Sequence, residues 1–130
     1  MNIGEAAAKS DLAPKTIRYY ESVGLIGAPE RTSGGYRDYG ERDVETLRFV
    51  RRARGLGFSV AEVAEFLSLY NKRDRASSDV KAIALVRIDD IDRKMAELDA
   101  MRNTLSHLAE LCHGDDRPDC PILEDLAGSS

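Results

Sequence analysis

Apolar residues recur along most of this chain at the spacing of helical turns, and glycine, proline and small polar residues break the pattern at intervals. Ile3 to Lys9 is alanine-rich and helix-prone, Ser10-Asp11 interrupts it, and Pro14 suits the first turn of a second helix running through Lys15 to Glu21. Two short helices a few residues apart predict a helix-turn-helix. Gly24 to Gly27 and Ala28-Pro29 end the helical pattern, and Arg31 to Tyr39 reads as two short extended pieces around a Ser33-Gly34-Gly35 turn, a small β wing. From Glu41 the helical period returns at Val44, Leu47 and Val50 and ends at Gly55-Leu56-Gly57. Ser59 is the cap expected before a further helix carrying Val60, Val63, Phe66 and Leu67. The inward spacing of Ile17 and Tyr20, toward Leu12 and Leu25, assigns them to the core, together with Phe49 and Phe58.

Residues 71–78 are polar and form the expected linker. Beyond them lies the longest helical pattern, residues 79–111, about 50 Å at 1.5 Å per residue, too long to bury one face against so small a domain. Ala84, Ile88, Ile91, Met95, Leu98, Met101, Leu105, Leu108 and Cys112 form a heptad-like seam along it with one local shift. Too few apolar residues remain in the chain to cover that seam, so it predicts a homodimer. The segment 112–130 is a polar loop followed by a short helical turn. Residues 1–70 form the first module, with its connector helices.

Composition adds a polarity to this plan. The net charge of -4 hides a division: residues 1–57 carry ten basic and eight acidic side chains, and residues 58–130 carry nine and fifteen. The basic groups therefore lie toward the N-terminus. No apolar run approaches the roughly 18 residues of a membrane span, and no secretory leader is visible, so the cytoplasm is the expected compartment.

Lys15, Arg18 and Tyr19 share one face of the second helix, with Thr16 beside them, and can enter a major groove together. A charged helical face alone is usually a solvated one. The wing adds Arg31, Tyr36 and Arg37, within reach of phosphates or a minor groove, and Arg51, Arg52 and Arg54 add further charge. Helix, wing and arginines together point to double-stranded DNA.

The two cysteines, Cys112 and Cys120, are separated by seven residues, with Gly114 and Pro118 in that loop. Such a loop can bring both sulfurs to one ion, and thiolates select soft metals such as Cu(I), Ag(I) or Au(I). A structural zinc site wants four ligands, and His107, His113, Asp115, Asp116 and Asp119 fit surface and turn positions better than ligand positions. Cys120 precedes Pro121 at the start of a short helix, whose positive end favours its thiolate. The alternative reading of the pair is a reversible disulfide in a thiol redox sensor. No catalytic Ser/His/Asp or Cys/His set, phosphate loop or room for a substrate pocket is visible, so an enzyme is not expected.

These residues carry a resemblance. Ile17-Arg18-Tyr19-Tyr20-Glu21-x-x-Gly24-Leu25-Ile26, Arg31-x-x-x-Gly35-Tyr36-Arg37-x-Tyr39 and Arg52-Ala53-Arg54-x-Leu56-Gly57-Phe58 resemble the N-terminal signature of MerR-family transcription regulators. Ser77-x-Asp79-Val80-Lys81 and Cys112-x-Gly114-Asp115-Asp116-x-x-x-Cys120-Pro121-Ile122-Leu123 resemble its copper-responsive CueR/HmrR branch. Ala13-Pro14 departs from it, since relatives often place a hydroxyl cap there. The implied fold is all-α with a small β wing: a winged helix-turn-helix, a long antiparallel coiled-coil dimerisation helix and a C-terminal metal-binding loop. The implied function is activation of copper efflux or detoxification genes by a homodimer that distorts promoter DNA for RNA polymerase when Cu(I), Ag(I) or Au(I) binds. The resemblance also implies that Ser77 of one subunit faces the metal loop of the other, where divalent-sensing relatives have a cysteine; its plainer role is a cap for the helix beginning near Asp79.

Overall fold

The computed structural model describes residues 1–128, and residues 129–130 of the expected C-terminal segment lie outside the described residues. In chain order the elements are α1 (Ile3–Ser10), α2 (Pro14–Ser22), β1 (Glu30–Arg31), β2 (Arg37–Asp38), α3 (Glu41–Gly55), α4 (Val60–Tyr70), α5 (Ser77–Leu111) and α6 (Pro121–Leu126). They fall into two compact units, Met1–Ala84 and a second from Leu85 onward. The fold is mostly helical with a two-stranded antiparallel wing, as the sequence predicts.

Helix boundaries in the first unit follow from local chemistry. Asn2 caps α1 by accepting the Glu5 N–H at 2.8 Å, and Asp11 ends it in a left-handed conformation at φ 57°. Ala13, in place of a hydroxyl cap, offers α2 no side-chain hydrogen bond. Pro14 at the first helical position has no N–H to satisfy, and Ala13 is already extended, so the helix starts without a cap. Helices α2 and α3 end alike. The Gly24 N–H meets the Glu21 carbonyl at 3.2 Å and the Leu25 N–H meets that of Tyr20 at 3.0 Å; Gly57 and Phe58 repeat this on Arg54 and Ala53 at 2.9 and 3.3 Å. Each glycine takes a positive φ, 75° and 87°, that closes the motif and folds the following apolar residue back onto its own helix. Ser59 and Glu62 form a reciprocal capping box for α4.

The core of this unit joins Ala6, Ile17, Tyr20, Leu25, Tyr39, Val44, Leu47, Val50, Phe58 and Val63. Ile17, Leu47, Val50 and Val63 are wholly enclosed, each contributing about 1.5–3 kcal/mol by removal from water. Arg48 Nε donates to the Lys9 carbonyl at 3.0 Å and Arg51 Nε to that of Asp11 at 3.1 Å, so α3 satisfies carbonyls that the end of α1 leaves open. Phe49 corrects the expectation of a core role. It is half-buried and packs against Tyr70 with ring centroids 5.2 Å apart and planes tilted by 43°, because its position on α3 turns toward the rim, where α4 ends. Phe58 does enter the core and meets Phe66 edge-on at 4.7 Å.

The long helix opens at Ser77, earlier than the expected Asp79, with the Asp79 N–H bonded to the Ala76 carbonyl at 3.1 Å. Ser77 is thus the first helical residue and not the cap preceding the helix. No residue of α5 is buried: Ile88, Met95, Leu98, Met101 and Leu105 all remain at least half exposed, and Ile91 is exposed as well. No described helix is long and apolar enough to cross a membrane.

Leu47→Ala, at the centre of the core, should lower unfolding free energy by about 2–5 kcal/mol. Urea denaturation followed by circular dichroism measures it, with an unchanged midpoint contradicting the placement.

Candidate nucleic-acid interface and metal loop

Burial of Ile17 and Tyr20 sets the rotation of α2. Lys15, Arg18 and Tyr19 are consequently exposed, Tyr19 at 53%, while Thr16 is half-buried. Ser22 Oγ donates to the Tyr19 carbonyl at 2.7 Å and closes the last turn. The sequence-predicted residues of the helix thus share an open surface with no ion pair drawn to Lys15 or Arg18 among the described residues.

The wing pairs Glu30 with Asp38 and Arg31 with Arg37. Thr32 donates its N–H to the Tyr36 carbonyl at 2.7 Å across the three-residue turn, and Tyr36 at its base is 76% exposed. Two arginines directly opposite each other repel. The structure gives each an acceptor: Arg31 Nη1 donates to the Gly35 carbonyl at 3.1 Å, and Arg37 Nε reaches both Glu21 carboxylate oxygens at 3.0 and 3.2 Å. Tyr39 Oη also donates to Glu21, at 3.4 Å. Burial, and then the Glu21 carboxylate, hold the Tyr39 phenol above its ordinary value.

Arg54 Nη1 donates to the Phe58 carbonyl at 2.7 Å, and Arg51 pairs with the Asp11 carboxylate at 2.9 Å. These charges carry structural partners that the sequence did not announce. Glu21 and Arg48 were likewise missed as contributors. The 16 residues from Glu21 to Arg37 and the 39 from Lys9 to Arg48 obey no local spacing rule.

In the second unit Cys112 directly follows α5 and donates its N–H to the Leu108 and Ala109 carbonyls, both at 3.2 Å. Cys120 is the extended residue before α6, and its carbonyl accepts the Glu124 N–H at 3.1 Å. Both thiols are free and half-buried. Between them Asp115 folds the loop on itself: Oδ1 accepts the Arg117 N–H at 2.9 Å, and the guanidinium grips both carboxylate oxygens at 2.9–3.1 Å. The Arg117 side-chain and backbone hydrogen bonds hold the Asp115 carboxyl below its ordinary range. Asp115 is thus occupied as a brace. Ala100, Met101, Thr104, Leu105 and Leu108 of α5 face Ile122 and Leu126 of α6 across a groove of about 350 Å³. Ser77 belongs to the first unit and both cysteines to the second.

No group of three or more His, Cys, Asp or Glu capable of holding a metal occurs among the described residues. The two cysteines expected to meet a metal, Cys112 and Cys120, are both free thiols, and thiolates in general favour soft metal ions.

An open helical face, a wing and a loop between two free cysteines are the parts expected of a metal-responsive transcription regulator, and likeness to known proteins places the chain in that class. The chain belongs to the MerR family: residues 1–69 match the family described as MerR HTH family regulatory protein, and residues 44–108 the one described as MerR, DNA binding. It is 58% identical over 130 residues to heavy metal-dependent transcription regulator 2 of Rhizobium meliloti (strain 1021), covering 100% of this chain and 88% of that protein. It is 43% identical over 128 residues to the HTH-type transcriptional regulator CueR of Salmonella typhimurium (strain LT2), covering 98% of this chain and 93% of that one. Among solved structures, PbrR691 from Ralstonia metallidurans CH34 in complex with lead(II) superposes with a TM-score of 0.83 at 33% identity, covering 97% of this chain and 98% of that one.

The Asp115 brace sets a pH limit on loop order. Because the folded carboxyl is depressed, its contribution is present above the ordinary value of 3.8 and is lost as pH falls through the depressed one. Arg117→Ala should return the Asp115 titration upward toward the ordinary value in carboxyl-carbon NMR. An unmoved midpoint would show that the pair does not form in solution.

Proposed function

We propose that the metal is a soft monovalent ion, Cu(I) first and Ag(I) or Au(I) by the same chemistry, and that Cys112 and Cys120 hold it. The observation that carries this is the donor set: two free, half-buried thiols flank a loop whose Asp115 is committed to Arg117. Two thiolates and a monovalent cation leave one negative charge, tolerable in a half-buried loop, whereas a divalent ion seeks further ligands. Resemblance of this loop to the copper-responsive branch, and the likeness to CueR, support the same metal. Bound there, the ion would tie the end of α5 to the start of α6.

On this reading the exposed seam of α5 pairs with a second copy in an antiparallel coiled coil. The resulting dimer sets two reading helices on a two-fold promoter site. Lys15, Thr16, Arg18 and Tyr19 enter the major groove, and Arg31, Tyr36, Arg37 and Arg54 serve the backbone beside it. Regulation of copper efflux or detoxification genes then needs the effector to favour a DNA-distorting conformation, which aligns the promoter for RNA polymerase. An effector with equal affinity for both conformations would shift nothing.

Cys112→Ser or Cys120→Ser exchanges a thiolate for a hydroxyl that stays protonated, and each should abolish the transcriptional response to copper while leaving DNA binding intact. Anaerobic Cu(I) titration against a competing chelator, alongside in vitro transcription, reads both. A full copper response in either variant would exclude the two-thiolate site. A response of the unaltered protein to oxidant without copper would favour the redox reading instead.

Ser77→Cys should add a third thiolate and raise affinity for Zn(II) or Hg(II) by about tenfold or more without abolishing Cu(I) binding. Competition titrations of both proteins decide it, and equal divalent affinities would mean that residue 77 does not face the partner's metal loop.

A further inference from the structure

The Glu21 side chain keeps only 12% of its exposure, and an ionised carboxylate so enclosed is costly unless it is paired. Its partners are Arg37 Nε and Tyr39 Oη, both from the wing side of the fold. Arg37 is one-third exposed, and its hydrogen bonds to Glu21 run from Nε, with none from its two Nη groups among the described residues. A hairpin with strands of two residues each cannot set its own orientation, since so small a ribbon is marginal alone. Its neighbouring arginines, Arg31 and Arg37, oppose each other across the ladder and push it further from self-sufficiency. The orientation must come from what the wing touches, and Glu21 stands on the same helix as Lys15, Arg18 and Tyr19.

From this geometry we infer that Glu21 is a positioning residue for DNA binding: it grips Arg37 Nε, locks the wing to α2, and leaves the Nη groups of Arg37 to a backbone phosphate. An arginine can serve two acceptors at once because its donors form a rigid fork, and a lysine cannot. Holding Nε in advance removes part of the ordering that a long side chain otherwise undergoes on binding. Glu21 thus acts through Arg37 and touches no DNA. The inference rests on the DNA-binding reading of this surface.

The test uses full-length protein and a fluorescein-labelled duplex selected by the unaltered protein from a randomised library, with affinity measured by anisotropy at several salt concentrations. Arg37→Ala should weaken binding about tenfold and reduce the salt slope by about one for each phosphate that the protein no longer neutralises. Glu21→Gln, which keeps the shape but removes the charge, should weaken it about threefold or more, since charge-assisted hydrogen bonds are roughly twice as strong as neutral ones. The double variant should bind no more than about twofold below Arg37→Ala, because Glu21 has nothing left to position. Circular dichroism establishes that each variant is folded. Arg37→Lys repeats the test without altering Glu21 and should lose nearly as much as Arg37→Ala. Losses that multiply in the double variant, or binding by Glu21→Gln or Arg37→Lys equal to the unaltered protein, would overturn the positioning role and leave DNA binding standing. Selection of no duplex with salt-dependent affinity would overturn the DNA reading of this surface and the inference with it.

Discussion

Enclosure of Ile17 and Tyr20 is the constraint from which the first unit takes its working form. A nine-residue helix has little stability of its own, so α2 exists by virtue of the face it buries. Once that stripe joins Leu25, Val44 and Leu47 in the core, the helix has no rotational freedom left. Lys15, Arg18 and Tyr19 are then presented outward, and the Tyr20-Leu25 closure at Gly24 directs the chain toward the wing. Chemistry on the outer face is therefore a consequence of packing on the inner one.

The positive charges of this unit divide into two kinds. Arg48, Arg51 and Arg54 donate to main-chain carbonyls at helix ends, where a cation complements both open acceptors and the helix dipole. Lys15, Arg18 and the Nη groups of Arg37 lack such partners among the described residues and stay available to an anionic ligand. A count of arginines overstates the binding surface, since a guanidinium that holds the fold together is only partly free to hold anything else. The Arg37 side chain does both, because one nitrogen faces Glu21 while two others do not.

The second unit shows the opposite balance. None of its described residues is buried, and the row from Ile88 to Leu105 stays exposed along α5. Apolar surface of that length on one helix is the signature of an interface, and MerR-family regulators typically act as dimers. Its loop, by contrast, is organised by a single ion pair and one left-handed glycine, Gly114 at φ 63°. Such a segment has few internal contacts to oppose rearrangement, a property that suits a sensor.

Most of the fold was legible in the sequence because it is written in local rules. The period of Val44, Leu47 and Val50 located α3, Ser59 marked the start of α4, and Gly24 and Gly57 marked where α2 and α3 stop, each taking a positive φ in the structure. The cysteine spacing and the exposed residues of α2 were legible for the same reason. Phe49 was misread because periodicity tells which face a residue occupies but not how far the covering element extends, and α4 ends beside it. The start of α5 at Ser77 escaped because a run of polar residues gives the helical period nothing to register. The sequence by itself determined the elements, their order and the inward face of each short helix. Only tertiary structure decided which charges are shared, since the Glu21–Arg37–Tyr39 cluster and the arginine contacts to α1 join residues 16 to 40 positions apart. Hydrogen bonds over such separations are set by how helices and wing come to rest on the common core, and no periodicity along the chain encodes them.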